Sequence, residues 1–286
     1  MGRKSLAGAP YLPVVDQIGY GLLALVAAGV GTLGGLGGAI VLVPILVLTG
    51  MPASEAAPLG LITVAAGSVA AGSRQLRERS VNHRVGVVTE LAASAGAVIG
   101  ATVSGVVSER LLTLLLAAVA LVAGLVGGRR QGLRNPVDPR CTPADVGERV
   151  GALAGAYPLE RGIVPYTVRR LPLGLGLMSV AGFIAGTAGA SGGFIKTPAT
   201  SEVMGVPTKV AAATTTFTVG ITSSAALVVF AAQGRIDASA SALVIAGSLI
   251  GGQVGALLQA SLSPVTVRRT LGVLLVVIAL VLVVQA

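Results

Sequence analysis

Apolar residues run through this chain in long stretches, interrupted by short polar segments that hold nearly all of its charge. Eight apolar stretches can be marked, at 18–50, 53–72, 85–107, 111–128, 171–201, 210–232, 238–262 and 270–286. A helix needs about 20 apolar residues to cross the roughly 30 Å hydrocarbon layer of a bilayer, and the stretches are of that order or longer. Inside hydrocarbon every backbone N–H and C=O has to be satisfied by the protein itself, which leaves helices or closed barrels. The period-2 alternation of a barrel strand is missing, so the stretches predict helices. The expected fold is an all-α integral membrane protein of about eight transmembrane segments. The first stretch extends well past the apolar part of a cleavable signal peptide and reads as a retained span.

Composition agrees, because only 11% of the 286 residues are charged while 53% are hydrophobic, and soluble domains carry roughly a quarter charged. The net charge of +9 could suggest nucleic acid, but its placement argues otherwise. Arg129, Arg130, Arg134, Arg140, Arg149, Arg161, Arg169 and Arg170 lie between the fourth and fifth stretches, and Arg74, Arg77, Arg79 and Arg84 lie in one short loop. That pattern is positive-inside bias, and it places both segments in the cytoplasm. The assignment is the same for parallel or inverted halves, so charge does not choose between them. The segment 129–170, rich in Arg, Pro and Gly with little apolar periodicity, reads as a cytoplasmic linker, disordered in part. Cys141 is the one cysteine, which leaves neither a disulfide nor a thiolate metal site, and no cofactor is implied.

The sequence also matches itself at a constant displacement of 155 residues. The run Gly31-Thr32-Leu33-Gly34-Gly35-Leu36-Gly37-Gly38 falls on Gly186-Thr187-Ala188-Gly189-Ala190-Ser191-Gly192-Gly193, identical at five of eight places. At the same displacement Pro52 falls on Pro207, Gly96 on Gly251 and Gly100 on Gly255. The expected organisation is two homologous four-segment halves, 1–128 and 171–286, joined by the linker 129–170.

Each half opens with a stretch too long to cross once. Residues 18–50 would make a helix of about 50 Å at 1.5 Å per residue. Glycine costs about 1 kcal/mol relative to alanine in a helix interior and permits positive φ, so Gly34, Gly35, Gly37 and Gly38 mark a break. Gly189, Gly192 and Gly193 mark its counterpart, and a proline follows each, Pro44 and Pro198. Backbone amides released by such breaks are tolerated only where they are buried or line a cavity. Paired breaks in duplicated halves point to a binding site between the halves, where half-helix N-termini suit an anion. The plainer alternative is that the glycines only allow close helix packing. That alternative is preferred for Gly96/Gly100 and for Gly247/Gly251/Gly255, which have small-xxx-small spacing.

Lys196 follows the second break and has no basic counterpart in the first half. A lysine within a span costs about 2.5–3.5 kcal/mol on translocon scales, so a counter-charge or a wet cavity is expected beside it. It is a candidate partner for the anion; the alternative is a side chain snorkelling to the interface. Hydroxyls cluster nearby in sequence at Thr214, Thr215, Thr216, Thr218, Thr222, Ser223 and Ser224, with Thr63 and Ser68 in the equivalent segment. Some are expected to donate to substrate and others to bond back to their own helix. Glu90 is the one acid well inside the third stretch, where an interfacial role with Arg84 or His83 is expected and proton coupling is the alternative.

Three motif matches are set aside. Residues 29–34 fit G-x-G-x-x-G but lie inside an apolar span, not after a strand. Residues 189–197 resemble a phosphate loop, but Ile195 precedes Lys196 where glycine is required. Gly189-Ala190-Ser191-Gly192-Gly193 fits G-x-S-x-G, yet the single histidine, His83, lies in a loop of the other half.

The glycine run with its proline in each half, Pro52 and Pro207 before Ala-rich helices, and two four-segment units around a polar linker together resemble the TauE/SafE family of membrane transporters. The resemblance covers nearly the whole chain outside the linker. It implies movement of sulfite, sulfonates or related sulfur-containing organic anions across the plasma membrane. The functional expectation is a secondary transporter, not an enzyme, with a passive anion channel and an intramembrane serine hydrolase as alternatives. Its substrate site is expected at Gly34, Gly35, Gly37, Gly38, Gly189, Ser191, Gly192, Gly193, Lys196, Thr63, Thr214, Thr215 and Thr218. The expected partners are a small anion and the lipid bilayer, with no nucleic acid; a homo-oligomer is left open.

Overall fold

The computed structural model describes residues 14–34, 37–77, 79–127, 137–159, 162–258 and 264–285. Helices α1 (Val14–Gly34), α2 (Ala39–Leu48), α3 (Ala53–Arg77), α4 (His83–Ser104) and α5 (Glu109–Gly127) come first. After the linker follow α6 (Leu171–Ala188), α7 (Gly193–Pro198) running into a π turn at Ala199–Val203, α8 (Thr208–Ala232), α9 (Ala238–Leu258) and α10 (Pro264–Gln285). Among the described residues, α3, α4, α6, α8 and α9 are each long and apolar enough to cross a membrane. Large apolar side chains such as Leu91, Val228, Leu257 and Val284 stand exposed on the outer helix faces, as a lipid-facing surface requires.

Both stretches expected to break are discontinuous. In the first, α1 ends at Gly34 and α2 begins at Ala39; in the second, α6 ends at Ala188 and α7 begins at Gly193. Helix bounds recur 155 residues apart, with α3 and α8 equal in length at 25 residues and beginning at Ala53 and Thr208.

Glycines set the helix spacing. A β-carbon at Gly247 would lie 2.0 Å from the Gly21 carbonyl oxygen, one at Gly251 2.0 Å from that of Leu25, and one at Gly255 2.5 Å from that of Gly29. The contacts rise together in number, so α1 and α9 run parallel at a spacing only glycine permits. The same holds for α4 and α6, where β-carbons at Gly96 and Gly100 would fall 2.1 and 2.2 Å from the Ser179 and Phe183 carbonyl oxygens. Helix α4 also runs parallel to α8, with Gly86 against Thr214 and Thr218 and Gln233 reaching the Ala101 carbonyl. By contrast α3 and α8 cross in opposite directions, since Gly220 meets Ser68 while Gly72 meets Phe217.

The linker differs from the expectation of an irregular connector, and the fold is not purely helical. Within it a single 3₁₀ turn (Pro143–Asp145) leads to a three-stranded antiparallel sheet, β1 (Gly147–Glu148), β2 (Ala154–Leu159) and β3 (Gly162–Thr167), in the order β1-β2-β3. Val164 and Tyr166 face inward and Pro165 and Thr167 outward, an alternation too short to register against the Arg/Pro/Gly background. Tyr157 and Tyr166 pack with Met178, Met204 and Val206, which seats the sheet against α6 and the chain entering α8. Asn82 ties it down further, donating from Nδ2 to the Tyr166 hydroxyl at 2.9 Å while its Oδ1 caps α4 by accepting from the Val85 amide at 3.0 Å. Burial pushes the Tyr166 phenol above its ordinary range, opposed by that bond from Asn82.

Gly251→Ala is expected to lower the unfolding temperature in detergent, since overpacking costs typically about 1–3 kcal/mol. Gly67→Ala, whose added carbon meets nothing within 4 Å, should raise it through better helix propensity, by up to about 1 kcal/mol. Thermal unfolding of both variants beside the parent checks this, and equal shifts would contradict it.

Candidate functional site

The two breaks meet. Gly37 has φ +84°, and a β-carbon there would fall 2.5 Å from Ser191 Oγ. Gly189 ends α6 in the left-handed region at φ +66°, donating from its amide to the Ala185 carbonyl. A β-carbon at Gly189 would fall 2.2 Å from Ala57 Cα, and one at Gly60 2.4 Å from the Gly189 carbonyl oxygen. Each break is therefore threaded against α3. Gly38 sits against the Thr63 methyl on one side and Ala28 on the other. Ser191, 1% exposed, accepts from the Gly193 amide at 3.3 Å and closes the turn into α7.

One turn into α7, Lys196 is 2% exposed, so its side chain does not snorkel to an interface. Its ammonium donates to Glu90 Oε2 at 2.8 Å and to Thr222 Oγ1, and Thr222 Oγ1 donates in turn to Glu90 Oε1. Ser94 Oγ reaches the same Glu90 oxygen at 3.3 Å. Glu90 is itself 4% exposed. The cluster joins α4, α7 and α8, and it occurs once: 155 residues away, Lys196 corresponds to Val41 and Glu90 to Ile245.

The expected partnership of Glu90 with Arg84 or His83 is thus corrected. His83 turns to the linker instead, where Glu148 stands 3.3 Å from its Nδ1 and accepts from the Arg84 backbone amide at 3.1 Å. The lone histidine is accordingly engaged in the linker contact.

The family model described as sulfite exporter TauE/SafE matches residues 20–282. The chain belongs to the TauE/SafE family. Comparisons with curated proteins and with solved structures give no match. TauE/SafE proteins are membrane transporters, in keeping with the apolar helices described above.

In this TauE/SafE chain the other candidate residues divide. Gly34 is the last residue of α1, and Gly35 lies outside the described residues. Gly192 caps α7 and packs on Ala181, with a β-carbon there 2.9 Å from its carbonyl oxygen, and Gly193 opens the helix. Thr63 Oγ1 donates back to the Leu59 carbonyl at 3.1 Å, and Thr218 Oγ1 approaches the Thr215 carbonyl at 3.5 Å. Thr214 Oγ1 accepts from the Asn82 amide at 3.0 Å, holding the loop before α4. Thr215 is buried on the same helix. Spacings of three and four residues put Thr214, Thr215, Thr218 and Thr222 along one face of α8.

Sequence reasoning missed Glu90 and Thr222 as members of the cluster. The signal was present: two opposite charges, each costly at membrane depth, are best accommodated as one pair. Removing one member of a buried pair leaves the other uncompensated, at about 3–5 kcal/mol, whereas replacing both by neutral groups of similar volume is often close to neutral. Lys196→Met and Glu90→Gln alone should each lower stability by that order, and the double variant should recover most of the loss. Denaturation in detergent measures this; additive losses would contradict the pairing.

Proposed function

We propose that this chain is a secondary carrier moving a small anion, either sulfite, a sulfonate or a related organic sulfur anion, across the plasma membrane. The observation that carries this reading is the convergence of Gly37 and Ser191, one from each break, with the buried Lys196 five residues after Ser191. Broken helices place backbone donors at membrane depth without a covalent ligand, and the adjacent ammonium supplies the charge an anion requires. Gly34, Gly37, Gly38, Gly189, Ser191, Gly192 and Gly193 form the cradle, with Thr63 as part of its wall. Thr215, Thr218 and Thr222 line an approach along α8; Thr214, engaged with Asn82, stands at its outer end.

The carrier is best read as two homologous halves in inverted orientation. Two features support that reading: helix bounds repeat at 155 residues, and the corresponding helices α3 and α8 run in opposite directions. Inversion with the linker and the 74–84 loop in the cytoplasm puts Arg110 and Arg235 outside. Alternating access then comes from rocking one half against the other about the paired breaks.

Reconstituted vesicles loaded with sulfite, thiosulfate or methanesulfonate test the proposal. Saturable flux is expected, reduced at least about tenfold by Gly37→Val, whose side chain would enter the space held by Ser191, and by Lys196→Ala. Non-saturating flux would indicate a channel, and full activity in both variants would remove the site from the breaks.

A further inference from the structure

We infer that Glu90 is a proton-binding site, and that each monovalent anion moves together with one proton. The inference rests on the carrier reading above. With no anion present, the ammonium of Lys196 and the carboxylate of Glu90 cancel, bridged by Thr222. An anion arriving at Lys196 would leave two negative groups against one positive in a place with almost no solvent, since both residues are at most 4% exposed. An unbalanced charge at that depth is strongly disfavoured. One proton on Glu90 restores neutrality, because the neutral carboxyl no longer competes for the ammonium and Lys196 is released to the anion. The empty and the loaded sites then carry the same net charge of zero.

The hydrogen bonds can follow this change. A hydroxyl both donates and accepts, so Thr222, which donates to the ionised carboxylate, can turn and accept from the protonated one. Ser94 offers the carboxyl a second hydroxyl.

No competing titratable group faces the pair among the described residues. Helix α6 carries none, α8 carries only Lys209 in its first turn, and the π turn after α7 carries Glu202, which is exposed. His83 and Arg84, at the start of α4, are exposed, and His83 stands beside Glu148 in the linker. The pair also accounts for a one-sided feature of the fold, since neither charge has a counterpart 155 residues away.

The test uses methanesulfonate, a strong-acid anion that brings no proton of its own, with the intact protein in vesicles and in detergent. Added to the protein in lightly buffered detergent, it should draw about one proton from solution per anion bound, read with a pH dye. In vesicles its flux should fall by up to about tenfold per unit as pH rises, and should be indifferent to an imposed membrane potential. Glu90→Gln should carry the anion with flux constant within about twofold across the same pH range and responsive to potential. Anion binding without proton uptake by the parent protein overturns the proton site and leaves the carrier intact. This measurement holds even if Glu90→Gln fails to fold. Absence of binding or flux for methanesulfonate, sulfite and thiosulfate alike overturns the carrier reading and the proton site together.

Discussion

A primary ammonium cannot be left alone at membrane depth, and the structure around Lys196 is organised by that constraint. Its partner Glu90 comes from α4 and the bridging hydroxyl of Thr222 from α8, so the pair fastens three helices at one point. Lys196 can reach them only because α6 stops at Ala188 and the chain restarts at Gly193. The ion pair and the break are therefore one arrangement: the break places the charge, and the charge fixes the short helix that follows.

Close approach of backbones supplies the rest of the frame. Where α1 lies along α9 and α4 along α6, carbonyl oxygens occupy the space a β-carbon would need at Gly247, Gly251, Gly96 and Gly100. In lipid there is little hydrophobic drive for helices to associate, so contact at this range is a main source of their cohesion. The same economy of side chains lets Gly37 and Ser191 meet against α3. At one end, the linker sheet is held by Asn82 and Glu148, near the first turns of α4 and α8.

Much of this was legible in the sequence because it follows local rules. Long apolar stretches, glycine runs and small-residue spacing each act over a few turns of helix, and the helices end where the runs Gly34–Gly38 and Gly189–Gly193 stand. The pairing of Lys196 with Glu90 was not legible, since it joins residues 106 apart and depends on how α4, α7 and α8 assemble. The hydroxyls were only partly so. A threonine in a helix can bond to its own turn, as Thr63 does, or to another segment, as Thr214 does with Asn82, and composition cannot tell these apart. The sheet in the linker was hidden because the alternation in β3 lasts only from Val164 to Thr167.

Membership of a transporter family and a buried charge beside converging breaks make the central claim a spatial one: the anion sits where Ser191 faces Gly37. The most direct measurement is the alkylation rate of Ser191→Cys in membranes, with Cys141→Ser as background and the conducted sulfur anion present or absent. Saturating anion should slow the reaction by at least about tenfold. An identical rate with and without the anion would place the substrate elsewhere and contradict the account.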